Sequence, residues 1–268
     1  MKNLIIVVAV IATSTFLLTN CGGSKELGGG FNLFTIQQDR DLGAQVAAEI
    51  DANQAEYPLL DSAQNKEVYA YLYKVRDNIL NSGAVKHKDD FQWRLRIVKN
   101  DSVLNAFCTP GGYIYVYTGI MKYLDNEAQL AGVMGHEIAH ADFRHSTRQM
   151  TKMYSIQVLL QAIAGNRQML KDITAGIVGL KFSREHESEA DKGSVTYLCP
   201  TKYQADGGAG FFEKIAASGG GRQPEFLSTH PSPEGRIEAF KNYKLELGCG
   251  GTSDFEQDYR AIIAKLPQ

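Results

Sequence analysis

The sequence lacks an excess of charge of either sign, since 28 Lys and Arg residues are balanced by 30 Asp and Glu residues for a formal net charge of -2. The basic residues are scattered along the chain and form no patch that would attract a nucleic acid. Internal repeats and long low-complexity tracts are also absent. Because 44% of the 268 residues are hydrophobic, the chain can bury the core of one large domain or two small ones. We therefore expect a globular protein without a nucleic-acid partner.

Beyond its N-terminus, the chain lacks an apolar run long enough to cross a bilayer. Residues 153–180 are rich in apolar side chains, but polar and charged residues such as Gln157, Arg167 and Asp172 interrupt them. We expect helices that are buried against a core in this region. A surface that rests on a membrane or guards a functional site is the alternative.

The cysteines lack the spacing of a metal site, because Cys108, Cys199 and Cys249 are far apart in the sequence. Cys199 and Cys249 lie beside Pro or Gly residues in the C-terminal third, where a disulfide would hold a tail in place. We predict that these two pair if the chain reaches an oxidising compartment. Cys108 lies in an apolar strand and would be a small buried thiol.

The first twenty residues differ from the rest of the chain. Lys2 is followed by an uncharged apolar run from Leu4 to Leu18, which predicts an export signal over residues 1–20 and not a spanning helix. Residues 21–34 would then form a flexible tether, since they contain five glycines up to Gly30.

The end of this run, Leu18-Thr19-Asn20-Cys21, resembles a bacterial lipobox, although the pattern prefers Gly, Ala or Ser where this chain has Asn20. The resemblance implies a lipid anchor on Cys21 and a place on the periplasmic side of the bacterial cell envelope. No Asp follows Cys21, which by similarity to known sorting rules favours the outer membrane. An ordinary signal peptide and an uncleaved anchor are the alternatives.

Apolar periodicity predicts several helices and one small sheet. The predicted helices are at 36–52, 62–80, 126–148, 183–198, 208–217 and 254–265. A strand is predicted at 91–98, and residues 106–118 read as a hairpin around Pro110-Gly111-Gly112. We predict an α+β fold that is mostly helical, with a small sheet next to the helix at 126–148, in a single domain over residues 35–268.

The predicted helix at 126–148 contains the HExxH pattern from His136 to His140. Residues four apart lie on one helix face, so both imidazoles can bind a single Zn²⁺ ion. Glu137 can take a proton from a water molecule beside that ion. The pattern also occurs by chance on charged, solvated helices. Here the surrounding residues are small or apolar, so we expect a buried helix whose polar groups need partners such as a metal.

A catalytic zinc usually has a third protein ligand and one open position. Glu187 and Asp191 share a helix stripe whose later residues are apolar, so both carboxylates should face the core. Glu187 then fits as the third ligand, and Asp191 fits as the acceptor of the second N–H of a zinc-bound imidazole. His186 is the rival ligand but points about 100° away around the helix. Glu189 shares its side with Lys192 and is expected to be exposed.

HExxH followed by ExxxD, from Glu187 to Asp191, resembles the gluzincin peptidases of the HtpX and CAAX-prenyl-protease type. Three further segments resemble that family: Asn105 to Phe107 with the Pro-Gly-Gly turn, Tyr117-Thr118-Gly119, and the His-Pro motif in residues 228–233. The resemblance covers residues 35 to 245. The lipobox-like segment and the missing spanning helices make the chain similar to the periplasmic lipoprotein branch of the family.

The resemblance implies one Zn²⁺ ion held by His136, His140 and Glu187, with Glu137 as the general base. His230 would either occupy the fourth zinc position and keep the enzyme latent or stabilise the oxyanion; a loop histidine without such a role is the third possibility. Arg236 would anchor the loop that carries His230 through an ion pair.

The implied function is that of a membrane-tethered zinc metalloendopeptidase acting on unfolded or misfolded envelope proteins. His145 would then be structural. The substrate could bind in an extended conformation along Asn105 to Phe107, or along the strand from Tyr113 to Val116. The alternative is a holdase or assembly factor with a closed or structural zinc site.

Overall fold

The computed structural model describes residues 27–154, 157, 161, 167–217, 224–230 and 235–267. The predicted export signal, Cys21 and the first part of the predicted tether lie outside the described residues. The helices are α1 (Ile36–Ala52), α2 (Lys66–Leu80), α3 (Thr118–Tyr123), α4 (Glu127–Asp142), α5 (His145–Met153), α6 (Arg167–Val178), α7 (Arg184–Leu198), α8 (Gly208–Ala217), α9 (Phe226–Thr229), α10 (Arg236–Glu246) and α11 (Glu256–Ile263). The strands are β1 (Arg94–Val98), β2 (Ala106–Thr109) and β3 (Tyr113–Tyr117). The predicted α+β architecture is confirmed.

The three strands form one sheet in the order β1-β3-β2, with β1 parallel and β2 antiparallel to β3. β2 and β3 form the predicted hairpin, whose turn contains Gly111 and Gly112 at φ of 74° and 82°. Such left-handed backbone favours glycine because it has no Cβ. β3 is paired along both sides, so the Tyr113 to Val116 strand has no free edge for a substrate, contrary to one of the two expectations. The outer edge of β2 remains for that role.

Helix α4 is the centre of the fold, and every one of its residues except Gln129 is buried. Two glycines let neighbouring elements approach it closely. A Cβ on Gly132 would lie 2.2 Å from the backbone nitrogen of Gly208, and a Cβ on Gly135 would lie 2.8 Å from Ser194 Oγ. The small residues of α4 therefore bring α7 and α8 against the helix that carries HExxH.

Two of the predicted elements begin at least three residues later than expected. The helix predicted at 62–80 starts at Lys66, because the Asp61 carboxylate accepts from the N–H groups of Ala63 and Gln64 and holds a turn there. The strand predicted at 91–98 starts at Arg94, because Trp93 has a positive φ of 46°.

The predicted helix at 126–148 is two helices, α4 and α5, separated by Arg144 in the left-handed conformation (φ 59°, ψ 34°). The Arg144 guanidinium pairs with the buried carboxylate of Asp39 and donates to the Phe34 carbonyl. These contacts with the N-terminal part of the domain hold the break that apolar periodicity did not reveal.

The last residues of the predicted tether also differ from expectation, because 27–34 lie against the domain. Asn32 Nδ2 donates to Thr147 Oγ1 at 2.9 Å, and the Leu33 N–H donates to Thr151 Oγ1 at 3.2 Å. The two hydroxyl groups belong to α5. At the other end of the chain, the structure contains a disulfide between Cys199 and Cys249, whereas Cys108 is a buried free thiol.

Candidate metal centre

Four buried side chains direct one donor atom each to a common point. α4 supplies His136 and His140, α7 supplies Glu187, and the residue after α9 supplies His230; all their donor atoms lie within 4.8 Å of one another. His136 Nε2 is 2.9 Å from His140 Nε2, and His230 Nδ1 is 3.3 Å from His136 Nε2 and 3.1 Å from Glu187 Oε1. The structure thus gathers the three predicted ligands and His230 into one cluster.

These distances fit a tetrahedral zinc site. Bonds of about 2.0–2.2 Å to zinc place neighbouring ligand atoms of a tetrahedron about 3.3–3.6 Å apart. Five pairs in the cluster have donor atoms 2.9 Å to 3.5 Å apart, and all the donor atoms lie within 4.8 Å of one another. Imidazole and carboxylate are also the donors that zinc commonly accepts in proteins.

The hydrogen bond of His136 to Asp191 determines which ring nitrogen carries the proton, and this arrangement favours a cation in the cluster. His136 Nδ1 is 2.9 Å from Asp191 Oδ1, so this nitrogen donates to the carboxylate. In the neutral ring, Nε2 then presents a lone pair to His140 Nε2. Asp191 thus lies beside His136, where the sequence predicted an acceptor for the second N–H of an imidazole.

The orientation of His140 depends on a second, longer chain of contacts. His140 Nδ1 is 2.9 Å from His145 Nδ1, and His145 Nε2 is 3.0 Å from Glu189 Oε2. The Glu189 carboxylate accepts, so His145 donates through Nε2, and its Nδ1 accepts the N–H of His140. His140 Nε2 is then also a lone-pair donor. Two lone pairs facing each other at 2.9 Å repel unless a proton or metal ion lies between them.

Glu189 is buried, at 8% exposure, and the prediction of an exposed side chain was wrong. α5 covers this side of α7, and Arg148 Nη1 lies 3.2 Å from Glu189 Oε2. His186 is also buried, but it is no member of the donor cluster. Its ring stacks on His145 with centroids 4.4 Å apart, and among the described residues neither of its ring nitrogens has a hydrogen-bond partner.

Sequence reasoning missed the contribution of His145 and Glu189. In a continuous helix, a residue five positions after His140 would point about 140° away from it. The left-handed Arg144 ends α4 and turns the chain, so that His145 faces His140 from the start of the next helix. The sequence did contain one signal. Glu189 could have been considered as a hydrogen-bond partner for a histidine outside HExxH, such as His145.

Arg236, at the start of α10, connects the two carboxylates of α7. Its Nε is 2.8 Å from Asp191 Oδ2, and its Nη1 is 3.2 Å from Glu187 Oε2. Burial works against the Glu187 carboxylate, but its electrostatic interactions with the imidazoles of His230, His136 and His140 hold its pKa well below its usual range. The carboxylate is therefore ionised, as a metal ligand must be.

Glu137 lies between the cluster and the sheet. Its carboxylate faces the backbone N–H of Cys108 in β2, and its Oε1, which has no hydrogen-bond partner among the described residues, is 3.5 Å from His230 Nε2. Burial raises the pKa of this carboxyl group above its ordinary value. A raised pKa suits a group that must accept and return a proton near neutral pH.

The segment that carries His230 closes the cluster. The His230 ring stacks on Phe226 with centroids 4.4 Å apart. Backbone hydrogen bonds join Thr229 to Phe182 at 3.2 Å and Phe226 to Leu104 at 3.1 Å. All four donor side chains are at most 2% exposed. A groove of about 490 Å³ lies beside this segment, with Tyr57 and Tyr117 among its lining residues.

The fold and the donor cluster agree with a comparison to known families. The model of peptidase family M48 matches residues 66–244, which include all four donors. The chain belongs to peptidase family M48. M48 enzymes are zinc-dependent metalloendopeptidases, and this chain is therefore one as well. The family predicted from HExxH and ExxxD is confirmed.

Several curated M48 proteins are similar to the chain. The metalloprotease YcaL of Escherichia coli (strain K12) is 30% identical over 262 residues, which are 90% of this chain and 98% of YcaL. The beta-barrel assembly-enhancing protease of the same organism is 30% identical over 183 residues, which are 62% of this chain and 37% of that protein. The mitochondrial metalloendopeptidase OMA1 of Arabidopsis thaliana is 33% identical over 155 residues, or 57% and 32% of the two chains.

The chain thus spans nearly the whole of YcaL but only about a third of the other two relatives. Within the described ranges, every helix is too short or too polar to cross a bilayer.

Proposed function

We propose that this M48 peptidase hydrolyses peptide bonds in unfolded or misassembled proteins of the bacterial cell envelope while it is anchored to a membrane through Cys21. The observation that carries the proposal is the position of Glu137. Its carboxylate touches both the donor cluster and the outer edge of β2. A polypeptide bound along that edge would therefore have its backbone carbonyls beside the base and the metal.

His136, His140 and Glu187 would hold the zinc ion, with Asp191, His145 and Arg236 fixing their orientation. When bound, zinc acts as a Lewis acid that polarises the scissile carbonyl and makes a water molecule a stronger acid. Glu137 takes a proton from the attacking water and returns it to the nitrogen of the leaving amine. The Cys108 N–H, which faces the carboxylate of Glu137, would help to hold it in place during both transfers.

His230 would act as a latch in the conformation described here. Its Nδ1 takes the fourth donor position, and its Nε2 faces the carboxylate of Glu137. The imidazole thus fills the space that a water molecule and a substrate carbonyl need. This placement favours the latent role over oxyanion stabilisation, because no room is left for an oxyanion while His230 is in the cluster.

An extended substrate is recognised mainly through its backbone when it adds to a sheet edge. Asn105, at the start of that edge, is 5% exposed, and within the described part of the chain its Oδ1 has no hydrogen-bond partner. This oxygen could accept an N–H from a bound polypeptide. Recognition of backbone suits substrates that are unfolded, whatever their sequence.

The proposals of an envelope substrate and of a lipid anchor are supported by the sequence and by the relatives. The apolar run and lipobox-like Leu18 to Cys21 support attachment on the periplasmic side, with the outer membrane favoured. One relative is named for enhancing β-barrel assembly. A disulfide between Cys199 and Cys249 agrees with an oxidising compartment.

Replacement of Glu137 by Gln tests the proposed reaction. We expect the cleavage of unfolded casein to fall by about 10²–10⁴-fold, because a general base contributes that much. The zinc content of the purified variant should equal that of the wild type, which separates loss of the base from loss of the metal. Undiminished cleavage by a zinc-loaded Glu137→Gln protein would refute the proposal.

A holdase or assembly factor is the second candidate, and the closed cluster favours it. The same experiment distinguishes it from the protease. A holdase would bind unfolded envelope proteins without cleaving them, and wild type and Glu137→Gln would suppress aggregation of such a client equally well. Cleavage that disappears with Glu137 would exclude a pure binder.

A further inference from the structure

The chain enters the domain at a fixed place, which we call the N-terminal corner and define as residues 27–34 together with α5. Lys86 Nζ donates to the Leu27 carbonyl at 2.8 Å, close to the point where the described chain begins. From there the segment follows α5 through the hydrogen bonds of Asn32 and Leu33. The N-terminal corner is therefore the part of the domain nearest to any membrane attachment that precedes residue 27.

The N-terminal corner also exposes large apolar side chains. Five large hydrophobic residues are exposed in the described part of the chain, and three of them belong to this corner: Phe31 at 75%, Leu33 at 41% and Met153 at 59%. The other two, Leu245 and Leu247, lie at the end of α10. Exposed Lys152 adds a positive charge beside Met153. Apolar side chains with an adjacent cation are what an interface with anionic phospholipid requires.

The length of the chain before residue 27 limits how far the bilayer can lie from this corner. Cys21 precedes Leu27 by six residues, and an extended chain covers at most about 3.3–3.6 Å per residue, or about 20 Å in total. If the apolar run ending at Leu18 is the attachment instead, nine residues cover at most about 30 Å. Either attachment keeps the N-terminal corner near the lipid headgroups.

We propose that the N-terminal corner docks on the bilayer, with the side chains of Phe31, Leu33 and Met153 in the boundary between headgroups and acyl chains. The inference rests on the membrane attachment in the proposed function. Docking of this corner would set the orientation of the domain as well as its location. Gln149 of α5 donates to the carbonyl of Lys181, and Lys181 lines the groove beside His230. The groove is then held close to the membrane surface, where envelope proteins that fail to assemble expose unfolded segments.

Tryptophan fluorescence in vesicles tests this contact in the full-length protein. The one native tryptophan, Trp93, is 3% exposed and gives a constant background. We would compare Phe31→Trp with the matched control Leu245→Trp, since both positions are exposed and apolar. Each variant is reconstituted into phosphatidylethanolamine and phosphatidylglycerol vesicles with plain or brominated acyl chains, because bromine quenches indoles that lie within the bilayer. Flotation of the vesicles reports attachment separately.

We expect brominated lipid to reduce the added emission of Phe31→Trp roughly twofold, since interfacial apolar side chains lie about 5–10 Å deep. The emission of Leu245→Trp should stay unchanged. If the protein floats with the vesicles but the two variants are quenched equally, the docking of the corner is wrong and the attachment stands. Cross-linking through position 31 would then show whether a second copy covers it. If the protein fails to float, attachment and docking are both overturned.

Discussion

At the scale of single residues, the two histidines of HExxH are oriented by different acceptors. His136 donates directly to Asp191, whereas His140 donates to His145, which in turn donates to Glu189. The first contact could be predicted, because Asp191 lies one helical turn after Glu187 on a stripe that becomes apolar. The second could not, because it depends on the direction the chain takes after Arg144.

Replacement of His145 by Phe should weaken zinc binding by about 10–100-fold, the usual effect of losing a partner of a ligand histidine. Phe keeps an aromatic ring to stack on His186 but leaves the Nδ1–H of His140 without an acceptor. Competition with a chromophoric chelator measures the affinity. His87→Phe is the control, since His87 is bonded to Asp90 outside the cluster. Equal zinc affinity of His145→Phe and wild type would show that His145 only fills space.

Zinc binding should release a proton from His136 at pH 7. Burial works against the charged ring, but the hydrogen bonds to Asp191 and Glu187 outweigh it and raise the pKa of His136 to about 9 in the zinc-free chain. The ring is therefore protonated at pH 7 and must lose that proton to bind a metal. Titration calorimetry in buffers of different ionisation enthalpy counts the protons. Above pH 10 the His136 ring is already neutral, so zinc binding should no longer release this proton. An unchanged number of released protons there would contradict this assignment.

At the scale of elements, the segment of α9 and His230 is the part that has to move for the site to open. Among the described residues, two backbone hydrogen bonds join it to Phe182 and Leu104, and the Phe226 ring packs against Phe211 with centroids 5.1 Å apart. The rest of the site belongs to α4 and α7, which are packed together through Gly135 and Gly193. An opening of the site would therefore displace the latch while the three proposed zinc ligands stay where they are.

Removal of the latch side chain, as His230→Ala, should raise the rate of casein cleavage. If the closed form is about nine-tenths of the population, the rise would be about tenfold, because the rate follows the fraction that is competent. Initial rates at equal zinc content measure it, and the double variant with Glu137→Gln should be inactive. A lower rate in His230→Ala would mean that the imidazole assists the reaction instead of blocking it.

Local signals predicted most of the elements. Thr35 marks the start of α1 as its N-cap, and the turn glycines mark the hairpin of β2 and β3. The parallel pairing of β1 with β3 was not predictable in the same way, since its partners are 19 positions apart and β2 with its turn lies between them in the sequence. Arg144 likewise gave no local sign that the helix would end there.

At the scale of the whole molecule, the disulfide joins the two helices that hold the carboxylate side of the site. Cys199 directly follows α7, which carries Glu187 and Asp191, and Cys249 lies just after α10, which carries Arg236. The bond thus closes a loop with a sequence separation of 50 residues. Its pairing was predictable from the loop residues around both cysteines, but its relation to the metal centre required the fold.

Reduction of this disulfide should lower the free energy of unfolding by about 2–4 kcal/mol, mainly because the unfolded chain regains freedom. Urea denaturation with and without reductant measures the change, and the double variant Cys199→Ser and Cys249→Ser should match the reduced protein. Cys108→Ser serves as the control that keeps the disulfide. An identical urea midpoint for the oxidised and reduced protein would contradict the expected contribution.

The left-handed backbone of Arg144 has a consequence for how this position can change over time. Glycine would relieve a conformational cost of about 1–2 kcal/mol there, so backbone preference alone would select it. Yet glycine would also remove the guanidinium and leave the buried carboxylate of Asp39 without its ionic partner. A change at Arg144 is therefore tolerated only after Asp39 has been replaced. Residues 39 and 144 should vary together among homologous chains and not independently.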